Sequence, residues 1–237
     1  MNAINLVLLP GLNNTAAVFD EVTAALPASI SAYCPDLPAL TTVEAIADYV
    51  LANAPAQFWL GGFSFGGYVA MAVLAKAPER VLGIALICSS PKADTETQSA
   101  RRLDAIASAE KGGYEETAAS STIPFHPDSL KRPELMARRR DIVRAYGVER
   151  YIAHCHACIA RPDRTALLDG QRPTLLVTAS HDTVVPIAGV RSLADTVKGS
   201  EFAQVEGAGH LLPLEQPRAL AAVLAGWING HQGLDQA

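Results

Sequence analysis

The sequence predicts an α/β fold in which helices cover both faces of a mostly parallel sheet. Short apolar runs typical of buried strands alternate with longer segments of helical periodicity, as such folds require. Between residues 92 and 163 the strand signal stops, and the pattern is helical, charged and broken at residues 124–127. We therefore expect an α/β core at residues 1–91 and 166–237, with residues 92–165 inserted into it as a helical cap.

The composition agrees with one large core. The 237 residues are 49% hydrophobic and 18% charged, which suits a single domain of this length. No apolar run approaches the roughly 18 residues of a membrane span, and the N-terminal segment has neither the basic residues nor the cleavage site of a signal peptide. We expect a cytoplasmic protein with four reduced cysteines that binds neither membrane nor nucleic acid.

A strand and a helix are predicted in the first quarter of the chain. Residues 4–9 form a run that is apolar except for Asn5, which indicates a strand, and Pro10-Gly11 after it indicates a turn. Thr41 and Glu44 have the spacing of a capping box, which marks the start of a helix. Apolar residues then recur at helical spacing, at Val43, Ile46, Ala47, Val50, Leu51 and Ala54.

Residues 62–66, Gly-Phe-Ser-Phe-Gly, are the most informative stretch. An apolar and aromatic run at residues 57–61 predicts a buried strand before it, and residues 67–76 predict a helix after it. A serine on such a tight turn holds its hydroxyl exposed at the positive end of the helix, and the glycines let neighbouring backbone approach closely. The pattern predicts that Ser64 attacks an acyl carbon. A plain glycine-rich junction or a phosphate-binding turn is the alternative, but no Gly-Lys-Ser/Thr follows.

The acid and the base that a serine nucleophile needs follow in chain order. A β-rich run from Thr174 leads to Asp182, at the carboxyl end of a strand, where α/β folds keep their sites. A second short strand at residues 202–206 precedes a loop that carries His210. His210 would remove the Ser64 proton, and Asp182 would fix the imidazole tautomer.

Each of these residues also has an ordinary structural interpretation. Asp182 could cap the helix predicted from Pro186 or be part of a turn, and His210 could be a simple loop histidine. The order Ser, Asp, His after three predicted strands favours the catalytic interpretation. His181 is a poorer base, since the direct neighbour of Asp182 cannot easily point at the same carboxylate.

Acyl transfer also needs two backbone N–H groups aimed at the oxyanion that develops on the carbonyl oxygen. The sequence indicates Phe65, directly after the nucleophile, and Leu12, in the loop after the first strand. Gly11 gives that loop a flexible turn, although Pro-Gly after a strand is also an ordinary turn.

These segments resemble signatures of the α/β-hydrolase fold serine hydrolases, nearest to their small bacterial carboxylesterase and enol-lactonase-like branch. The similarity extends over nearly the whole chain, through residues 9–12, 62–70, 77–81, 161–164, 207–211 and 214–217. It implies a triad of Ser64, Asp182 and His210, with Leu12 and Phe65 as oxyanion donors. Two features depart from the family: the first loop has Pro-Gly where many relatives have His-Gly, and the chain opens without the family's two leading strands.

The predicted reaction is hydrolysis of a carboxylic ester or lactone through an acyl-enzyme, without a cofactor or metal. Serine at the turn, instead of aspartate, argues against dehalogenase or epoxide hydrolase chemistry. A C–C bond hydrolase of ring-cleavage products and an acyl thioesterase are alternatives that the triad does not distinguish. A non-catalytic ligand-binding protein on the same fold is the alternative of another class. Candidate walls of the substrate pocket are Phe125, Val185 and Leu211.

The predicted insertion is more basic than the rest of the chain. Residues 92–164 carry 13 of the 19 Lys and Arg residues and 11 of the 24 Asp and Glu residues, with the densest cluster at Arg138, Arg139, Arg140 and Arg144. Such a cluster could attract an anionic small-molecule substrate or, as a less favoured partner, an acidic carrier protein. The commoner interpretation is a solvated helix face whose arginines have acidic partners.

Residues 154–158, His-Cys-His-Ala-Cys, have the residue types of metal ligands. On a helix only His154 and Cys158 share a face, so four ligands do not converge. Packing within the insertion is the favoured interpretation.

Overall fold

A computed structural model describes residues 3–232 and places their strands in one six-stranded sheet. The strands are β1 (Ile4–Leu9), β2 (Ile30–Tyr33), β3 (Phe58–Phe63), β4 (Val81–Ile87), β5 (Thr174–Ala179) and β6 (Glu201–Val205). Their spatial order is β2-β1-β3-β4-β5-β6, and each pair of neighbours is parallel. All six carboxyl ends therefore lie at one edge of the sheet.

Ten α-helices lie within the described residues. They are α1 (Asp20–Ala25), α2 (Val43–Asn53), α3 (Phe65–Lys76), α4 (Glu96–Ser108), α5 (Tyr114–Ser120), α6 (Pro133–Tyr146), α7 (Val148–Ala160), α8 (Ile187–Thr196), α9 (Leu212–Glu215) and α10 (Pro217–His231).

Alternate side chains of the strands build two hydrophobic cores, one on each face of the sheet. In β1, Leu6 and Leu8 belong to the core that contains α1 and α10. Val7 and Leu9 belong to the core that contains α2, α3 and α8. Each fully buried aliphatic side chain contributes on the order of 2 kcal/mol to the free energy of unfolding, so burial on both faces fixes the register of the strand. The predicted fold class, a parallel sheet covered on both faces, is confirmed.

The segment between β4 and β5 contributes α4, α5, α6 and α7, and the structure has no strand there within residues 88–173. Helix α4 packs on α7, and α5 packs on α6. Gly147, with a φ of 79°, makes the corner between α6 and α7 that a side chain would strain. The exact division into a core and a cap at residues 92 and 165 stays a prediction.

One strand of the structure has no sequence-based prediction, and one predicted helix cap is wrong. Strand β2 has no clear apolar run, because it lies at the edge of the sheet and buries only Ile30 fully. Helix α2 is capped by Thr42, whose hydroxyl accepts the Ala45 N–H at 3.2 Å, so the capping box of Thr41 and Glu44 is wrong. Glu44 instead pairs with Arg164 at 2.5 Å.

All four cysteines are free thiols, at Cys34, Cys88, Cys155 and Cys158. None of the helices in residues 3–232 combines the length and the apolar character that crossing a bilayer requires.

Candidate active site

Ser64 lies on the turn between β3 and α3 in a strained conformation, with φ 50° and ψ −116°. The glycines around it explain why the turn can form. A Cβ added at Gly66 would lie 2.0 Å from the Leu9 carbonyl oxygen, and one added at Gly62 would lie 2.5 Å from the Gly66 carbonyl oxygen. The turn is therefore packed directly against the end of β1, and this packing keeps the strained serine in place.

The structure brings Ser64, Asp182 and His210 together. The distance from His210 Nε2 to Ser64 Oγ is 2.9 Å, and the distance from His210 Nδ1 to Asp182 Oδ2 is also 2.9 Å. Because a carboxylate only accepts hydrogen bonds, Nδ1–H donates to Asp182 and Nε2 accepts the Ser64 hydroxyl proton. The imidazole thus has the tautomer that a general base for Ser64 needs.

Asp182 is held by its own turn as well as by the histidine. Its Oδ1 accepts the N–H groups of Val184 and Val185, both at 2.8 Å. Burial raises the pKa of Asp182, but the hydrogen bonds from His210 and from these two N–H groups outweigh it, so the pKa lies below its ordinary value. The carboxylate is therefore ionised at neutral pH. Oδ1 thus makes the turn and Oδ2 contacts His210, so Asp182 fits both the turn and the triad interpretations.

The loop after β1 is a tight turn held from the insertion. The Asn14 N–H donates to the Gly11 carbonyl at 3.1 Å, and Asn13 has a φ of 61°, which asparagine tolerates better than most residues. The Tyr114 hydroxyl donates to Asn13 Oδ1 at 2.9 Å. Arg139 Nη1 donates to the Asn13 carbonyl at 2.7 Å and to Asn14 Oδ1 at 2.9 Å. Tyr114 and Arg139 therefore brace a loop that has no histidine of its own.

Leu12 and Phe65 are the expected oxyanion donors. Both line the cavity that Ser64 faces. Among residues 3–232, no group accepts a hydrogen bond from the N–H of Leu12 or Phe65. Both N–H groups thus remain free to bind an oxygen atom in the cavity, and their role as the oxyanion hole is a proposal.

The loop that carries His210 is held by Glu215, which is only 2% exposed. Its two carboxylate oxygens accept the Gly209 N–H at 2.9 Å and the His126 N–H at 2.7 Å. A Cβ at Gly209 would lie 2.6 Å from the Phe125 carbonyl carbon. In the sequence Glu215 stands out only as part of a family signature, and the structure shows that it joins the histidine loop to residues 125–126.

A cavity of about 660 Å³ opens above Ser64 and His210. Val185 and Leu211 line it, as predicted. Phe125 is absent from the described lining residues and packs in the hydrophobic core at 6% exposure, so the structure differs from the sequence-based expectation there. The preceding Ile123 and Pro124 line the cavity instead, because the contact with Gly209 fixes the orientation of this short segment.

The cavity lining also includes basic residues that have no motif to mark them as part of the site. They are Lys92, Arg102, Arg139 and Arg161. The run of three arginines in α6 was the sequence feature that could have indicated them, but its members have different surroundings. Arg138 pairs with Asp20 at 3.0 Å, while Arg139 is buried and Arg140 is exposed. The predicted solvated face with acidic partners therefore describes Arg138 but not Arg139.

His154 has a packing role. It is 0% exposed, and its Nε2–H donates to the Pro38 carbonyl at 2.8 Å while its Nδ1 accepts the Tyr146 hydroxyl at 2.6 Å. Its ring also stacks on Phe65 at 4.6 Å between centroids. Since both ring nitrogens are already hydrogen-bonded, His154 does not fit a metal site with Cys158.

We expect His154 to make the protein less stable in mild acid. Burial lowers the pKa of His154 from 6.5 to about 4, with the Pro38 carbonyl opposing the shift. Between these two pH values the unfolded chain binds the proton and the native chain does not. The free energy of unfolding therefore falls as pH is lowered through this window, by about 3 kcal/mol in total. Urea denaturation between pH 7 and pH 4 measures it.

The matched comparison for this prediction uses two histidines of α7. His154→Gln should flatten the pH dependence, because an amide does not titrate, whereas His156→Gln, at an exposed position, should keep the slope of the original chain. Equal slopes in both variants would contradict the assignment to His154.

Cys88 lies beside Asp182 and His210, with potential ligand atoms of the three residues within 4.8 Å of one another. Burial raises the pKa of the Cys88 thiol, and the Asp182 carboxylate raises it further, which disfavours the thiolate that binds metals. Both nitrogens of His210 are engaged by Ser64 and Asp182. The group fits a hydrogen-bonded site better than a metal site.

Comparisons with known proteins identify relatives over nearly the whole chain. A pimeloyl-[acyl-carrier protein] methyl ester esterase from Aromatoleum aromaticum is 27% identical across 97% of this chain and 100% of its own length. The monoacylglycerol lipase abhd6-A of Xenopus laevis is 23% identical across 99% of this chain and 78% of its own.

Two solved structures share the fold. A thermophilic esterase from Thermogutta terrifontis, with malate bound, has a TM-score of 0.88 at 24% identity and covers 97% of this chain and 90% of its own. The enol-lactonase from Burkholderia xenovorans LB400 has a TM-score of 0.85 at 22% identity, covering 97% and 92%. The sequence model of one family matches residues 6–223, nearly the full length, and the chain accordingly belongs to the alpha/beta hydrolase family.

Proposed function

We propose that this chain is a serine hydrolase that cleaves a carboxylic ester or lactone through an acyl-enzyme intermediate. The observation that carries the proposal is the continuous hydrogen-bond chain from Ser64 through His210 to Asp182, with Ser64 and His210 facing the cavity. A serine hydroxyl is a weak nucleophile until a neighbouring base removes its proton, and this arrangement supplies that base.

In the proposed mechanism, Ser64 Oγ attacks the ester carbonyl carbon while His210 Nε2 takes the hydroxyl proton. Asp182 stabilises the imidazolium cation that results. His210 then gives the proton to the leaving alcohol, and the acyl group stays on Ser64. In the second half, His210 takes a proton from water while the water oxygen attacks the acyl carbon. His210 then returns that proton to Ser64 Oγ as the bond between the acyl carbon and Oγ breaks, and the acid is released.

The negative charge on the carbonyl oxygen would be held by the N–H groups of Leu12 and Phe65. The positive end of α3 starts at Phe65 and favours charge at the same place. Such preorganised donors account for a large share of the rate enhancement in acyl transfer. Helices α4 to α7 would form the cap that excludes water and shapes the pocket, because residues from α4, α5, α6 and α7 line the cavity.

The relatives support an ester substrate, since their names describe a methyl ester esterase and a monoacylglycerol lipase. The enol-lactonase with the same fold supports a lactone as the cyclic form of that substrate. A thioesterase or a C–C bond hydrolase would use the same triad, and no feature of the cavity favours either. A purely ligand-binding protein has no need for the aligned serine and imidazole.

A substrate panel tests the proposal. The protein is expected to hydrolyse short carboxylic esters and lactones faster than an acyl thioester or a ring-cleavage dienone, compared by kcat/KM at neutral pH. A fluorophosphonate probe should label Ser64, as located by peptide mass spectrometry. Faster turnover of the thioester or dienone would assign the protein to that substrate class instead. If the protein showed no turnover and no labelling, the enzyme assignment would be refuted.

A further inference from the structure

Three residues other than glycine have a positive φ within residues 3–232: Asn13 at 61°, Ser64 at 50° and Cys88 at 47°. Such a backbone is strained, and in proteins it concentrates at functional sites. Asn13 lies in the loop after β1, and Ser64 lies on the serine turn. Cys88 directly follows β4 and takes no part in the proposed mechanism, so its strain needs another reason.

The strained residue is followed by a serine that contacts the serine turn. The Cys88 N–H still donates to the Val177 carbonyl of β5 at 2.8 Å, as the N–H of a strand residue would. The next residue, Ser89, is 1% exposed, and its hydroxyl donates to the backbone carbonyl of Ser64 at 2.7 Å. The strain at Cys88 therefore accompanies a hydrogen bond to the backbone of the nucleophile.

The backbone of Ser64 is held on both sides by the end of β4. Its N–H donates to the Ile87 carbonyl at 2.9 Å, and its carbonyl accepts the Ser89 hydroxyl. The same carbonyl also accepts the Gly67 N–H at 2.9 Å, in the first turn of α3. These contacts oppose the strain of the positive φ at Ser64.

Gly67 leaves the space that the Ser89 side chain occupies. A Cβ added at Gly67 would lie 2.2 Å from Ser89 Oγ and 2.6 Å from Ser89 Cβ. Any larger residue at position 67 would therefore push the hydroxyl away from the Ser64 carbonyl. The contact between Ser89 and the serine turn thus depends on the residues of both partners.

The Ser64 carbonyl belongs to the same peptide group as the N–H of Phe65. A peptide group is planar, and in its trans form the carbonyl and the N–H point in opposite directions. A hydrogen bond that fixes the direction of the Ser64 carbonyl therefore also fixes the direction of the Phe65 N–H. Within residues 3–232 this N–H has no acceptor, and Phe65 lines the cavity.

We propose that Ser89 is a positioning residue that orients the peptide group between Ser64 and Phe65, so that the Phe65 N–H is directed at the oxyanion. The oxyanion part rests on the proposed function. Without the Ser89 hydroxyl, rotation of this peptide group would relieve the strain at Ser64 and turn the N–H away. A preorganised donor acts mainly in the transition state, where the carbonyl oxygen carries the negative charge.

The first test compares Ser89→Ala with the unmodified protein on several esters. Loss of the hydroxyl should lower kcat roughly 10-fold for every ester and leave KM nearly unchanged. A trifluoromethyl ketone, which forms an oxyanion on a catalytic serine, should bind about 10-fold more weakly. The matched control is Ser90→Ala, which should keep both values, because the described contact of the Ser90 hydroxyl is with the Lys92 N–H at 3.2 Å.

These readouts separate positioning from packing and from substrate binding. If Ser89 only fills space, Ser89→Ala will lower the temperature of unfolding while kcat and the affinity for the ketone stay the same, and the proposal is overturned. If Ser89 contacts the substrate instead, KM will rise without a fall in kcat, which overturns the proposal as well.

A second measurement does not depend on turnover. The Gly67 N–H donates to the same Ser64 carbonyl, so rotation of the peptide group would break that hydrogen bond too. In Ser89→Ala the Gly67 amide should exchange its hydrogen about 10-fold faster than in Ser90→Ala, as measured by NMR.

Equal exchange at Gly67 in the two variants would overturn the proposal. Absence of turnover on every ester by the unmodified protein would instead count against the proposed function. The exchange rate of Gly67 would then still decide whether Ser89 orients the peptide group.

Discussion

Ser64→Ala is expected to lower kcat for ester hydrolysis by at least about 10⁴-fold and to leave the fold intact. The substitution removes the oxygen that contacts His210 Nε2 at 2.9 Å and changes nothing in the packing of the turn. Ester hydrolysis measures the first effect, and circular dichroism with thermal unfolding measures the second.

The matched control is Ser121→Ala, which alters another serine of the cavity lining. Ser121 has no histidine partner among the described hydrogen bonds, so its variant should keep both turnover and fluorophosphonate labelling. Retained turnover or labelling in Ser64→Ala would refute the nucleophile assignment.

Gly66→Ala is expected to destabilise the protein by on the order of 3 kcal/mol or more. The added Cβ would lie 2.0 Å from the Leu9 carbonyl oxygen and 2.8 Å from that of Pro10. Both are backbone atoms, and they cannot rotate away as a flexible side chain would. The end of β1 would have to move away from α3, which also displaces the loop that contains Leu12. The midpoint of urea denaturation measures the loss.

Gly226→Ala provides the control for that substitution. Gly226 lies inside α10, and an added Cβ would meet no atom within 4 Å. Alanine there should raise stability by about 0.5–1 kcal/mol, because glycine has a higher entropy in the unfolded chain. If both alanine variants unfolded at the same urea concentration, close packing at the serine turn would not be the cause of the glycine pattern.

The parts of the fold that sequence alone predicted are those with strong local signals. Strand β1 is predominantly apolar because Leu6 to Leu9 are buried on both faces of the sheet, and β5, which is buried throughout, is similar. The serine turn is defined by glycines whose contacts lie within a few residues or on the adjacent strand. The meeting of Ser64, Asp182 and His210 was predictable because parallel strands bring their carboxyl ends to one edge.

The features that sequence did not predict depend on contacts between distant segments. Successive residues of a helix point about 100° apart, so the sequence cannot tell which arginine of α6 is buried until α6 is packed against the loop after β1. Phe125 was wrongly predicted to line the cavity for a similar reason, since the close contact with Gly209 decides which residues of this segment face the cavity. Strand β2 was missed because an edge strand needs little apolar sequence.

The bracing of residues 11–14 has a consequence for engineering and for the history of this protein. The side chains that hold this loop, Tyr114 and Arg139, belong to α5 and α6, whereas the loop itself follows β1. Replacing these helices with the corresponding segment of another hydrolase would remove both supporting side chains together. The loop beside the serine and the helices above it are thus not independent modules. New specificities would arise more readily by point substitution than by exchange of whole segments.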